Sequence, residues 1–249
     1  MSSTSDAQQK VTDFIDRNKA VAEKNVTEKF PLKVEELDKF LASDILCISR
    51  LTQIASDTGI PKPAPIPAID AADVNGVVAK KRKLPDDVGE VTGTKVYAFA
   101  CGSVVCNPYI VELIDKIKPK IMDLMDSANS IKMWIQMNIP RIEDGNNFGV
   151  SIQEEALAEA RQVEGDAATY LDALTRYFVH RAKLCAKLAK YPHLDDYRRA
   201  VQELDEKEFI TLRLVCAELR NHYAGLHDII MKNLDKIKRP RTQNTHNMY

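Results

Sequence analysis

The sequence predicts an all-α protein, an up-down bundle of four long helices, and three observations carry that expectation. Ile110, Ile114, Ile117, Ile121, Leu124, Ala128, Ile131 and Ile135 alternate steps of four and three without a slip, the seam of a helix packed on a near-parallel neighbour. The 249 residues are 45% hydrophobic and 29% charged with only 9 Gly and 11 Pro, which suits long helices with apolar surface to bury. Two connections, one around Pro140 and one from Tyr191 to Leu194, are short, and short links make successive helices antiparallel neighbours.

The elements follow in order. Residues 1–57 form the first helical region: Val11, Phe14, Ile15, Val21, Ala22 and Val26 fall at helical spacing, and Pro31 kinks or interrupts the rod. The helix is expected to resume through residue 51, with Leu37, Phe40, Leu41 and Leu46 on one side. Residues 58–105 read as a mobile linker. Four prolines crowd positions 61 to 67, widely spaced glycines follow, and TKVYAFA near the end is a short β-like piece. Within the linker Lys80, Lys81, Arg82 and Lys83 form a basic run, either a solvated charge cluster or a segment read by a nuclear import receptor.

Residues 106–239 hold the remaining three helices of the same domain. Asn107 as N-cap and Pro108 at the first helical position open the second helix, which Pro119 bends slightly. Trp134, the only tryptophan, is a core or interface anchor just before the loop at 139–149. In that loop Pro140 stops the helix, Gly145, Asn146 and Asn147 tolerate positive φ, and Gly149 is a second pivot. Arg141, Glu143 and Asp144 stand between as rim charges. Ser151 and Glu154 have capping-box spacing for the third helix. Leu157, Ala160, Ala167, Leu171, Leu174, Phe178, Cys185 and Leu188 face its core, with Glu164 and Arg181 in the same stripe. After Tyr191, Pro192 and His193, the last helix spans Tyr197 to Ile237 and ends at Pro240, leaving 240–249 as a free tail. Helices of 30–45 residues are roughly 45–65 Å long at 1.5 Å per residue.

The composition excludes several classes of function. A net charge of -1 gives no reason to expect nucleic acid as a partner, and no window approaches the ~20 apolar residues of a membrane span. The N-terminal residues lack the apolar core of a signal peptide, so an intracellular protein is expected. The five scattered cysteines read as reduced, mostly buried thiols, not as a disulfide framework. Metal, nucleotide and serine-hydrolase motifs are missing, so no metal, cofactor or catalytic residue is assigned. Asp205, Glu206 and Glu208 read as a solvated face, and Glu218 with His222 as a structural pair one turn apart. From residues alone, the side surface of such rods suits packing of copies side by side, and a helical adaptor that binds partner helices along its seams is the competing reading.

The run PRIEDGNNFGVSIQEE resembles the activation loop of the 11S proteasome activators, the REG family. The stretches KYPHLDDYRRAVQELDEKEF and LHDIIMKNLDKIKRPR extend the likeness over most of the chain. The basic run, SIQEE, RAKL and the final Tyr249 resemble the gamma branch most. The resemblance implies a ring of four-helix subunits, a heptamer, that caps the 20S core proteasome without ATP or ubiquitin. It implies that Pro140, Arg141, Ile142, Glu143, Asp144, Gly145, Asn146, Asn147, Phe148 and Gly149 form the gate-opening loop. It further implies that Asn247, Met248 and Tyr249 dock between α subunits of the core, and that the protein is nuclear with a bias toward trypsin-like cleavage. The tail departs from the hydrophobic-Tyr-X ending of ATP-dependent activators, which moves gate opening from the tail to the loop.

Overall fold

The computed structural model describes residues 2–55, 58–62, 102–143 and 145–241. The first helix, α1 (Ser2–Lys24), continues through a π-helical turn at Asn25–Lys29 into α2 (Phe30–Leu41). The wide turn sits just ahead of Pro31, where an interruption is predicted. Phe30 N–H bonds the Asn25 carbonyl five residues back, so the Val26 carbonyl would look to residue 31, and a proline has no N–H to offer. His227 Nδ1 takes that place at 2.8 Å. A carbonyl only accepts, so this ring nitrogen carries the proton.

The first region ends sooner than its pattern predicts. After Leu41 come two 3-10 turns, Asp44–Leu46 and Ile48–Arg50, and the one-turn helix α3 (Leu51–Ile54). Arg213 explains the tolerance for broken helix: its Nη1 donates to the Leu41 carbonyl at 3.1 Å and the Leu46 carbonyl at 2.8 Å, capping groups left open at a helix end.

Three long helices follow: α4 (Pro108–Asn138), α5 (Phe148–Lys190) and α6 (Asp195–Lys232), then the short α7 (Leu234–Lys238). The last helix is predicted to run unbroken to Ile237. It breaks instead at Asn233, whose side-chain amide donates to the Ile229 carbonyl at 2.8 Å. The α1–α2 rod packs on α4 and α6, α4 packs on α5, and α5 on α6, which closes a four-helix up-down bundle. No strand occurs among the described residues, and TKVYAFA lies outside them.

Every seam residue predicted on α4 is buried, none more than 6% exposed. Asn107 caps α4 as expected, its Oδ1 accepting from Tyr109 and Ile110 N–H. Trp134 is a core residue. On α5 the predicted Phe178 is exposed and Tyr177 is buried in its stead, because the Tyr177 hydroxyl has a buried partner to reach. That partner is Asp205, and here the expected solvated carboxylate face is wrong. Asp205 is buried and accepts from Tyr177 Oη at 2.8 Å, Arg181 Nε at 3.0 Å and Asn107 Nδ2 at 2.8 Å. Asn107 Nδ2 also donates to the Ile54 carbonyl, and Arg181 Nη1 to the Val105 carbonyl. One carboxylate thus joins α3, α4, α5 and α6. Arg181, predicted as a polar intruder on the seam, is the counter-charge of that network. Glu164, the other, pairs with Lys132 at 2.6 Å across α4 and α5. His222 meets Tyr170 on α5 at 3.3 Å, so its partner lies across the bundle and not at Glu218.

The flanks of the predicted linker are packed on the bundle. Ile60 is buried against Cys185, Leu188 and Val201, and Val104 packs on the same cluster. Arg198 Nη2 donates to the Ile60 carbonyl at 2.9 Å. Lys80, Lys81, Arg82 and Lys83 lie outside the described residues. Among the described residues Cys185 and Cys216 are buried and Cys47 and Cys106 exposed; Cys101 lies outside them. Burial pushes the Cys216 thiol up to about 12.

Glu208 sits beside the Asp205 network. Burial pushes its carboxyl up to about 7, the charge of Asp205 adding to the effect and Lys207 opposing it. A folded-state value above the ordinary carboxyl range means that the folded chain holds this proton where the unfolded chain has lost it. Its stabilising contribution is therefore complete below the ordinary range and is lost as pH rises through about 7. Glu208→Gln should raise the thermal midpoint relative to the parent at pH 8 and leave it unchanged near pH 4. Equal shifts at both values would remove Glu208 as the source.

Candidate functional site

The loop between α4 and α5 and the chain leaving α7 lie at the same end of the bundle. Antiparallel order brings this about: the C-terminus of α4, the N-terminus of α5 and the C-terminus of the α6–α7 rod converge there. Gln153, on the first turns of α5, fastens them. It is fully buried, and its Nε2 donates to the Asn138 carbonyl at 3.0 Å and the Ile237 carbonyl at 2.7 Å. Two carbonyls can be served only by the NH2 end of the amide, so the acceptors fix its orientation. A single side chain therefore caps the last turns of α4 and α7.

α4 ends at Asn138, two residues before Pro140, as its sequence predicts. Gly145 at φ 82° and Asn146 at φ 47° then form the tip, the positive-φ pair expected of Gly-Asn. Ile142 and Phe148 flank the tip with their side chains in solvent, 101% and 74% exposed. Large apolar groups held out on a braced turn are available for contact with a partner. Asp144 lies outside the described residues.

Two expectations for the loop fail. Ser151 is not a cap: α5 starts at Phe148, with Asn147 in the cap position, and Ser151 Oγ bonds the Asn147 carbonyl from inside the helix at 3.3 Å. Gly149 is not a pivot either. It is a buried residue of the first helical turn, against the backbone of Pro240. A Cβ there would fall 2.7 Å from Pro240 Cα and closer still to its carbonyl oxygen. Glycine is needed for that close approach and not for a turn. Nothing in the sequence marks it, because the contact is made with a residue 91 positions away.

The charges predicted at the rim have definite partners. Arg141 is exposed and lies 3.5 Å from Glu143, while Glu143 Oε2 accepts from Arg241 Nη1 at 2.9 Å. Arg241 Nη2 reaches Asn147 Oδ1 at 3.2 Å. Gln153 and Arg241 are not marked by the sequence patterns, and Pro240, expected only to end the last helix and open a free tail, is instead buried against Gly149; all three brace the loop. Asn247, Met248 and Tyr249 lie outside the described residues. No group of three metal-ligating side chains occurs among the described residues, and no described helix is long and apolar enough to cross a membrane. The arrangement offers a braced, partly apolar contact surface.

Comparison with known proteins gives the following. Residues 5–65 match the family described as proteasome activator PA28, N-terminal, and residues 103–247 match proteasome activator PA28, C-terminal. Proteasome activator complex subunit 3 of Homo sapiens and of Gallus gallus are each 52% identical over 241 residues, covering 96% of this chain and 95% of theirs. The crystal structure of the 11S subunit of the Plasmodium falciparum proteasome, PA28, is 29% identical with a TM-score of 0.75, covering 96% of this chain and 95% of that one. The activator PA26 from Trypanosome brucei, solved in complex with the yeast 20S proteasome, is 13% identical with a TM-score of 0.63 and shows the same fold. It covers 95% of this chain and 97% of that one.

Replacing Gln153 by Leu should expose the dependence of this end on one amide. The buried Ile237 carbonyl loses its donor, at about 1–3 kcal/mol for a group left unsatisfied, and the half-buried Asn138 carbonyl loses less because water can reach it. The urea midpoint should fall accordingly. A variant as stable as the parent would show that the two helix ends are held by other contacts.

Proposed function

Because this chain belongs to the PA28 family of proteasome activators, we propose that it is a non-catalytic activator of the 20S core proteasome that works without ATP or ubiquitin. Seven copies assemble into a ring that caps the α ring of the core. The C-terminal tails, ending in Asn247, Met248 and Tyr249, dock in pockets between α subunits. The loop from Pro140 to Gly149 touches the gating turns and holds the entrance open to unfolded or short peptides, with a gamma-like bias toward trypsin-like cleavage. Lys80, Lys81, Arg82 and Lys83 direct the protein to the nucleus. No cofactor, metal, nucleic acid or membrane takes part.

The observation that carries this reading is the convergence of loop and tail root at one end of the bundle, through Gln153, Gly149 and Arg241. An activator that both grips and opens must present its two contact elements to the same surface. The complex of PA26 with a 20S proteasome supports the choice of partner. A single tail binds weakly, whereas several on one ring gain affinity through effective concentration. The exposed Val11, Phe14 and Val21 of α1 and Phe178 of α5 support association of copies side by side.

Two defects should separate. Removing Asn247, Met248 and Tyr249 should abolish co-sedimentation with purified 20S core. Replacing Asn146 with Tyr should preserve co-sedimentation and abolish stimulated turnover of a fluorogenic peptide in the absence of nucleotide. Normal stimulation by the Asn146 variant would overturn the assignment of the loop. The mass in solution should be close to seven times 28.0 kDa, and a monomer or dimer would overturn the ring.

A further inference from the structure

We infer that Arg241 is a positioning residue that clasps the base of the loop turn, so that the root of the tail and the loop move as one body and docking of the tail sets the pose of the loop. The partners of tail and loop are those of the function proposed above. The clasp itself is independent of that reading.

The geometry is specific. The guanidinium of Arg241 holds one residue on each side of the Gly145-Asn146 tip: Glu143 through Nη1 at 2.9 Å and Asn147 through Nη2 at 3.2 Å. Asn147 Nδ2 reaches the Glu143 carbonyl at 3.5 Å and closes the same base. Asn147 stands in the cap position of α5 yet makes no side-chain cap; its oxygen is turned to Arg241. Arg141 also lies near Glu143, but its side chain is 92% exposed and that of Arg241 only 20%. The planar fork of Arg241 meets two acceptors from a largely covered position, where less side-chain freedom remains to be lost.

The clasp is anchored from behind. Pro240, the residue before Arg241, lies buried against Gly149 with no room for a Cβ between them. Ile237, three residues earlier, is held through its carbonyl by Gln153. From Ile237 to Arg241 the root of the tail is thus fixed to α5 and to the loop at three successive points. A pull on residues beyond 241 acts first on Arg241 and through it on both strands of the turn.

Amide hydrogen exchange across residues 141–147 of the full-length protein tests the clasp without any proteasome. Arg241→Ala and Glu143→Gln should each speed exchange by about twofold to fivefold, the range set by an exposed or half-exposed ion pair. The charge-swapped double variant Glu143→Arg with Arg241→Glu should return exchange to within about twofold of the parent. Unchanged exchange in both single variants would overturn the clasp, and a swap as loose as the singles would overturn the ion pair as its basis. With purified 20S core, Arg241→Ala should lower maximal peptide turnover at saturating activator more than it raises the half-saturating concentration. A half-saturating concentration that changes alone would overturn transmission from tail to loop. Faster exchange with undiminished turnover and unchanged half-saturation would uphold the clasp and overturn the gate-opening role proposed for the loop.

Discussion

One amide nitrogen, Nε2 of Gln153, sets the geometry of the end of the bundle where the α4–α5 loop and the chain leaving α7 come together. It serves carbonyls from the last turns of α4 and α7 while its own backbone belongs to α5. Three rods are thereby held to a common level, and the loop and the root of the tail inherit that level. A water-filled junction would satisfy the same carbonyls but would not fix their spacing. Burial of the amide removes that freedom, and Gly149 removes more by letting the Pro240 backbone close on α5.

The opposite end has its own polar knot. Asp205 accepts from Arg181, Tyr177 and Asn107, so the buried pair is accompanied by neutral donors that satisfy the rest of the carboxylate. Burying a charge is costly unless it is paired and fully hydrogen-bonded. The return for that cost is register: Arg181 and Asp205 can meet only when α5 and α6 are correctly aligned. Between the knots lies an apolar seam that would tolerate sliding far better. The polar ends therefore decide where the rods stop, and the seam supplies the adhesion.

Most of the architecture was legible in the sequence because it rests on periodicity. The α4 seam, the Asn107-Pro108 start and the Gly145-Asn146 tip depend on residues close in sequence, and each stands as predicted. Two of the misreadings, Asp205 and Gly149, have their cause in distant partners, while the one at Ser151 is local. Asp205 resembled a surface carboxylate because its partners lie on other helices. Gly149 resembled a hinge because the backbone that presses on it arrives from Pro240. Ser151 and Glu154 matched a capping box, yet α5 begins a turn earlier. The turn expected between α4 and α5 is present, but its braces were invisible, since nothing local distinguishes Gln153 from other polar helix residues or Arg241 from other basic residues near the end of the chain.

Ile60 and Val104 meet the same small apolar cluster around Leu188, at the other end of α5 from Gln153. Closing a loop costs only about 0.6 kcal/mol for each doubling of its length. With both anchor points provided by the bundle, the number of residues between Ile60 and Val104 does not enter the packing of the rods. A relative with a longer or shorter interval between these two anchors keeps the same junction at Gln153.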